Sequence, residues 1–314
     1  MGTFDVMICG PIFTDIVFSA VPHMPSPGKE VLSQGFEFTC GGSTYITSVA
    51  MARLGMKPAM LAPLGNDFLS HFIRSQLENE GVSSSYAYSV DHPLRQVTAA
   101  INSQGDRAFV TYQDPLDTDR YQSYLLDALE RLEARMLIVN ARPEFVPVIE
   151  KARSKGMSIV FDIGWDDEWI YSSELKELLK LGHWFTPNLP ESLAITGTDT
   201  PEEAIEVMQS LVEHPIIKLG PEGALLKTAR GIDRIPGYLV EHPIDTTGAG
   251  DNFLAGLLTG ILKGWDIADA VRLGNYCGAK SVQGLGGTAA SPTWQQVQAE
   301  LYPFIPRYQG GHRQ

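Results

Sequence analysis

A turn of small residues carries the most explicit chemistry in this sequence of 314 residues: Asp245, Thr246, Thr247, Gly248, Ala249, Gly250 and Asp251. An apolar run rich in Ala and Leu follows at 253–262, so the turn should open a helix. N–H groups at a helix N-terminus lack intrahelical acceptors and the dipole there is positive, which suits an anion. Slim residues at 248–250 let a phosphate approach those N–H groups closely, and Asp251 then falls on the first turn beside it. A carboxylate so placed could take the proton of an attacking hydroxyl while the amides hold a transferring phosphoryl group. That reaction asks mainly for positioning and charge stabilisation. Taken alone, a Gly-x-Gly-Asp turn is more often just a tight turn with a helix cap.

The rest of the chain has the rhythm of a scaffold for such a site. A first strand over 4–9 runs into a Gly10-Pro11 turn. A strand run at 136–140 (MLIVN) leads to a helical segment at 144–155, and 158–162 (SIVFD) leads to a helix at 173–180. A short strand at 184–186 precedes a helix at 201–213 and the run 215–219 (PIIKL). Continuously apolar strands alternating with helices predict a parallel sheet covered on both faces, with right-handed crossovers. Two stretches break the rhythm. Residues 30–38 alternate like a strand within 15–39, and 96–112 read as a hairpin about a Ser103-Gln104-Gly105-Asp106 turn. These predict antiparallel strands inserted into the α/β body, as a small separate sheet or as an extra edge of the main one. No repeat or interdomain linker divides the chain, and 310–314 reads as a frayed tail.

The string 245–251 resembles the C-terminal signature of the PfkB (ribokinase-like) carbohydrate kinases. Five further segments resemble that family in its order: 10–15 (GPIFTD), 27–30 (PGKE, with Lys29 inserted), 41–55 (GGST through RLG), 187–191 (PNLPE) and 218–223 (KLGPEG). The resemblance covers nearly the whole chain. It implies one kinase domain over 1–314: a ribokinase-like three-layer α/β/α body with a mostly parallel sheet, plus a small β-sheet lid from segments 15–39 and 96–112. The implied activity is ATP-dependent phosphorylation of a hydroxyl group on a small sugar or sugar-derived substrate. Asp251 is then the general base, and the amides of Gly248, Ala249 and Gly250 form the anion hole. Asp15, Gly41 and Gly42 are assigned to the sugar, while Asn188, Lys218, Gly220, Gly223 and Asn275 are assigned to ATP. Glu191 would hold Mg2+ through water, and Asp245 and Thr247 would serve a monovalent cation such as K+. Implied partners are the sugar and ATP, with a second copy joined through the lid as a homodimer.

Each of these residues also has a plainer reading. Asn188 and Glu191 as an isolated pair are more often a helix cap with its N3 partner, and Asn275 is a polar residue on a helix face. Two departures from the family pattern stand out. Ile46 occupies the position where an Asn usually meets the sugar, which predicts a substrate with fewer hydroxyls to satisfy there, or a shifted pose. Ser70 stands where a Gly is usual, three residues after Asp67. Residues 42–44 (GST) are also reminiscent of the adenosine-kinase version of this signature, so a nucleoside kinase is one alternative. A catalytically silent sugar or nucleotide sensor is another, against which the intact 245–251 string argues, since a sensor needs no base.

Composition bounds the rest. With 37 Asp+Glu against 24 Lys+Arg the net charge is −13, which argues against a nucleic-acid partner and an anionic membrane surface but not against a small local anion. The longest apolar run, 253–262, is too short to cross a bilayer and contains Gly256 and Gly260. The start of the chain lacks the basic residues of a secretory signal, and Cys9, Cys40 and Cys277 are too few and too widely spaced for a disulfide framework. Both point to the cytoplasm. The histidines show no metal-ligand spacing, and neither a G-x-G-x-x-G after the first strand nor a G-x-x-x-x-G-K-[ST] is present. Trp165, Trp169 and Trp184 read as core or interface residues.

Overall fold

Met7, Leu137, Ile159 and Ile217 face one side of the main sheet, and Ile8, Met136, Ile138, Val160 and Ile216 face the other; none is more than 4% exposed. A strand buried on both faces belongs in the middle of a layered α/β protein. The computed structural model, which describes residues 2–103, 106–228 and 230–301, has that arrangement. Its eight-stranded sheet runs in the spatial order Gly231–Ile235, Ala224–Thr228, His214–Lys218, Trp184–Phe185, Ser158–Asp162, Leu132–Asn140, Gly2–Ile8, Pro58–Met60. All neighbours from His214–Lys218 to Pro58–Met60 pair parallel. The remaining edge is an antiparallel hairpin, Ala224–Thr228 with Gly231–Ile235, which the strand-helix rhythm of the sequence did not foretell.

One face is covered by the helices Thr118–Arg131, Val146–Ser154, Ser173–Leu179, Leu189–Thr196 and Pro201–Met208. On the other lie Ser43–Arg53, Ala249–Leu262, Ile267–Ser281 and Trp294–Glu300. Ala249–Leu262 and Ile267–Ser281 approach closely because their glycines leave room. A Cβ on Gly256 would lie 2.8 Å from the Leu273 carbonyl oxygen, and one on Gly260 would lie 2.8 Å from Ala270 Cα. The glycines of the longest apolar run therefore serve helix packing.

The interrupting segments form a sheet of their own, in the order Gly35–Gly41, Phe13–Ser19, Gln96–Ser103, Asp106–Gln113. The separate-sheet alternative is thus the one realised. The hairpin is present as expected, although Gln104 and Gly105 of its turn and the tail 310–314 lie outside the described residues. The strand expected at 30–38 instead spans Gly35–Gly41, and 20–34 contain no strand. Pro22, Pro25 and Pro27 lack N–H donors, and Gly28 takes a positive φ of 76°, so this stretch turns rather than extends. Phe38 anchors the small sheet to the helix Phe68–Asn79, its ring 4.6 Å from that of Phe72. Ser70, at the unusual position, donates to Asp67 and accepts from the Gly65 N–H, completing the cap of that helix.

Candidate active site

Neighbouring parallel strands end at Asp162, Phe185 and Lys218, so the turns leaving their carboxyl ends open on one side of the sheet. Ligands of open α/β sheets bind there. The helix Ala249–Leu262 begins over these ends, with Gly248 as its N-cap in a left-handed conformation (φ 71°) that a side chain would strain. Asn252 is the first residue in its ladder to bond back, its N–H donating to the Gly248 carbonyl at 2.9 Å. The Ala249 N–H leans on the Thr246 carbonyl at 3.3 Å, a long contact. Gly250 lies beneath the Lys218 ammonium, which is 2.8 Å from where a Cβ would stand. A positive helix mouth and a lysine thus share one small volume.

Carboxylates surround that volume. The Ser43 hydroxyl, at the start of Ser43–Arg53, lies near both Asp251 and Asp162 and favours the charged form of each. Burial pushes the Asp251 carboxyl well above the usual range, and the charges of Asp162 and Glu191 add to this; Ser43 and Lys218 oppose it. Asp162 is raised by burial too, against Ser43, Lys218 and the Ile163 N–H. Glu191 is likewise raised by burial and Asp162, and opposed by Asn188 and Lys218. Asn188 and Glu191 form the capping box of the helix Leu189–Thr196: the Glu191 N–H donates to Asn188 Oδ1 at 2.9 Å, and the Asn188 N–H to Glu191 Oε2 at 2.8 Å. The plain reading of this pair is therefore realised, and it holds Glu191 beside Lys218 at the same time.

Three carboxylates around one ammonium suit a divalent cation that arrives on a polyphosphate, since Mg2+ keeps several waters and needs few protein ligands. Among the described residues no three His, Cys, Asp or Glu side chains are placed to chelate an ion unaided.

Beside the helix mouth lies a largely apolar cavity of about 350 Å3, lined by Asn188, Lys218, Gly220, Gly223, Thr246, Ala249, Gly250 and Asn275 together with Tyr238, Val240, Pro243, Phe253 and Val282. Gly223 (φ 97°) is obligatory, because a Cβ would lie 2.1 Å from the Ile235 carbonyl oxygen. Asn275 borders the cavity but donates from Nδ2 to the carbonyls of Ile235 and Pro236, both at 3.1 Å. Its donors hold the end of the edge hairpin, and only its oxygen is left for a ligand.

On the opposite side, Asp15 projects from the small sheet across Gly41, where a Cβ would lie 1.9 Å from Asp15 Oδ2. Gly42 caps the following helix at φ 84°. Burial and then the charge of Asp245 raise the Asp15 carboxyl to about 6. Asp245 is 4% exposed and accepts from the Thr247 N–H and the Gly286 N–H, each at 2.9 Å. Ile46 is only 2% exposed, with Cδ1 2.3 Å from where a Cβ on Gly287 would stand and 2.9 Å from that of Gly248. It is a wedge beneath the two glycines rather than a wall offered to a ligand.

Three polar residues at or beside the site went unnoticed as candidates in the sequence. Ser43 and Asp162 meet Asp251, and Asn252 braces the helix mouth. Asp162 ends an apolar strand in a parallel run, and a carboxylate at that end was the available signal. Ser43 and Asn252 stood inside recognised motifs but at positions that looked like filler.

An anion-ready helix mouth, a buried carboxylate on its first turn and an adjoining apolar cavity are what phosphoryl transfer on an α/β scaffold would require. The chain matches the pfkB family of carbohydrate kinases over residues 5–294 and belongs to it. It is 29% identical over 277 residues to the 2-dehydro-3-deoxygluconokinase of Bacillus subtilis, covering 83% of this chain and 86% of that one. Ribokinase of the same organism is 28% identical over 302 residues, covering 95% of this chain and 99% of its own. Arabidopsis thaliana ribokinase, solved with ribose and ATP, superposes with a TM-score of 0.79 at 20% identity over 95% of this chain and 98% of that one, which shows the ribokinase fold.

Proposed function

We propose that this kinase transfers the γ-phosphoryl group of ATP to a hydroxyl of a small sugar, with Asp251 as general base. The observation that carries the reading is the coincidence, at one helix mouth, of Asp251, Lys218 and the 248–250 turn. ATP would lie with its base in the apolar cavity and its phosphates between Lys218 and the helix N-terminus. Asp15 would accept hydrogen bonds from sugar hydroxyls, with Gly41 and Gly42 leaving room for the ring. Asp251 then takes the proton of the attacking hydroxyl, and the amides of Gly248, Ala249 and Gly250 stabilise the charge that develops on the phosphoryl oxygens. Bound Mg2+, held near Glu191 through water, would neutralise phosphate charge.

The small sheet serves as a lid over the sugar and limits wasteful hydrolysis by excluding water. Asp245 and Thr247 border a monovalent-cation site, and addition of K+ should then raise turnover over Na+. We place the enzyme in the cytoplasm, to which its three buried free cysteines are suited. Ile46, at 2% exposure, is too buried to line a base pocket for a nucleoside acceptor.

The test is Asp251→Asn. With a coupled ADP-release assay over pentoses, hexoses, sugar acids and nucleosides to find the acceptor, this variant should lose about 10²–10⁴-fold in kcat and still bind ATP. Near-normal turnover would remove the base from Asp251.

A further inference from the structure

We propose that Asn252 is a positioning residue that sets the geometry of the anion hole by tying Gly248, at the helix mouth, to Gly287 in the facing loop. Its place in the helix does not call for an amide. The residues that follow, Phe253, Leu254, Ala255, Leu257 and Leu258, are buried and apolar, and Asn252 itself is 0% exposed. Burying an amide among them is costly unless every polar atom finds a partner. Here each one does. Nδ2 donates to the Gly248 carbonyl at 2.9 Å and to the Gly287 carbonyl at 2.8 Å, and Oδ1 accepts from the Ser291 hydroxyl at 2.5 Å. Ser291 fixes which end of the amide faces the two carbonyls.

What Asn252 ties together is already close and already anchored. A Cβ on Gly248 would lie 2.9 Å from Gly287 Cα, so the two backbones touch. The facing loop is held elsewhere by the Gly286 N–H on Asp245 and by Arg53, which donates to the Thr288 and Ser291 carbonyls and pairs with Glu80. With the loop fixed, the amide of Asn252 decides where the carbonyl of Gly248 points, and the peptide plane fixes the N–H of Ala249 with it. Those N–H groups matter most when charge develops on the transferring group, and a displacement near 1 Å can cost about 10²-fold in rate. ATP in its ground state is held by the whole cavity and should notice less.

The inference rests on the anion-hole reading above, and the experiment separates the two. In the full-length enzyme with ATP and its screened acceptor, Asn252→Ala should lower kcat about 10–100-fold with KM for ATP changed less than about threefold. Ser291→Ala, which keeps the amide but frees its orientation, should lose about 3–10-fold in the same parameter. Calorimetry with Mg2+, ADP and aluminium fluoride, a planar mimic of the phosphoryl group in flight, should show ADP affinity unchanged and the fluoride-dependent gain reduced in both variants. A purely structural Asn252 would lower Tm while leaving kcat per folded molecule and the fluoride gain intact, and that result would overturn the proposal. If Asn252→Ala does not fold, Ser291→Ala reads the same two quantities. Loss of turnover in Asp251→Asn with normal Asn252→Ala defeats only this inference. Normal turnover in Asp251→Asn defeats the reading beneath it.

Discussion

Burial and the neighbouring Asp245 hold the Asp15 carboxyl near 6, against an ordinary value of 3.8. The folded protein therefore binds this proton more tightly than the unfolded chain does. The favourable contribution is complete below about pH 4 and disappears as pH rises through 6, above which Asp15 is a buried charge that costs stability. Asp15→Asn should accordingly raise Tm by about 2–5 °C at pH 7.5 and leave it unchanged at pH 4, as differential scanning fluorimetry would register. The same variant should weaken sugar binding about 10–100-fold, because an amide offers one acceptor oxygen and no charge to the hydroxyls. A stability gain with unaltered sugar affinity would mean that Asp15 faces no substrate. Asp162 and Asp251 show the same tension. Each is a carboxylate kept where folding alone would not place it, and the Ser43 hydroxyl and Lys218 ammonium are what make the pair tolerable.

Strand register is what turns Asp15 toward the site. Phe13 pairs with Gly41 and Asp15 with Thr39, so the carboxylate leans across Gly41 into space that a methyl group would occupy. Gly41→Ala should leave ATP affinity and Tm nearly unchanged and raise KM for the sugar about tenfold, since the displaced atom is the free end of a side chain. Steady-state kinetics with each substrate varied in turn would show whether the effect falls on the sugar alone. The two central helices pose a backbone constraint instead. Gly260→Val would drive a branched side chain into Ala270 Cα, and overpacking of this kind costs about 1–3 kcal/mol. Thermal unfolding should detect it while kcat at 25 °C stays normal. Much of this level was legible beforehand. Ser158–Asp162 has the bounds that its apolar run suggested, and Ala249–Leu262 begins where the small residues do. Only residues 30–34 of the expected strand fail to form one: alternation in Glu30–Phe38 continues across them, while nothing local reveals that pairing with Phe13–Ser19 begins at Gly35.

At the scale of the molecule, Phe18, Phe36, Val110 and Tyr112 share one face of the small sheet and are 36–69% exposed, with Phe68 beside them at 73%. An apolar face of this kind on a sheet is suited to a second copy of the chain. Sedimentation velocity should find a dimer for the wild type and a monomer for Phe36→Asp combined with Val110→Asp. A wild type that stays monomeric at all concentrations would rule out pairing through the lid.

By itself the sequence determined the α/β class, the helix mouth at 245–251 and the residue types that could work there, because these follow from local periodicity, glycine's freedom and contiguous spacing. Only the tertiary structure decided which distant groups share that mouth. Ser43 and Asp162 reach Asp251 from separate elements, Asn252 meets a loop that begins about thirty residues later, beyond another helix, and Ile46 turns out to be a buried wedge. The order of strands in the sheet sets those meetings. Contacts between residues far apart in sequence depend on how whole layers stack, and no short stretch of chain encodes that stacking.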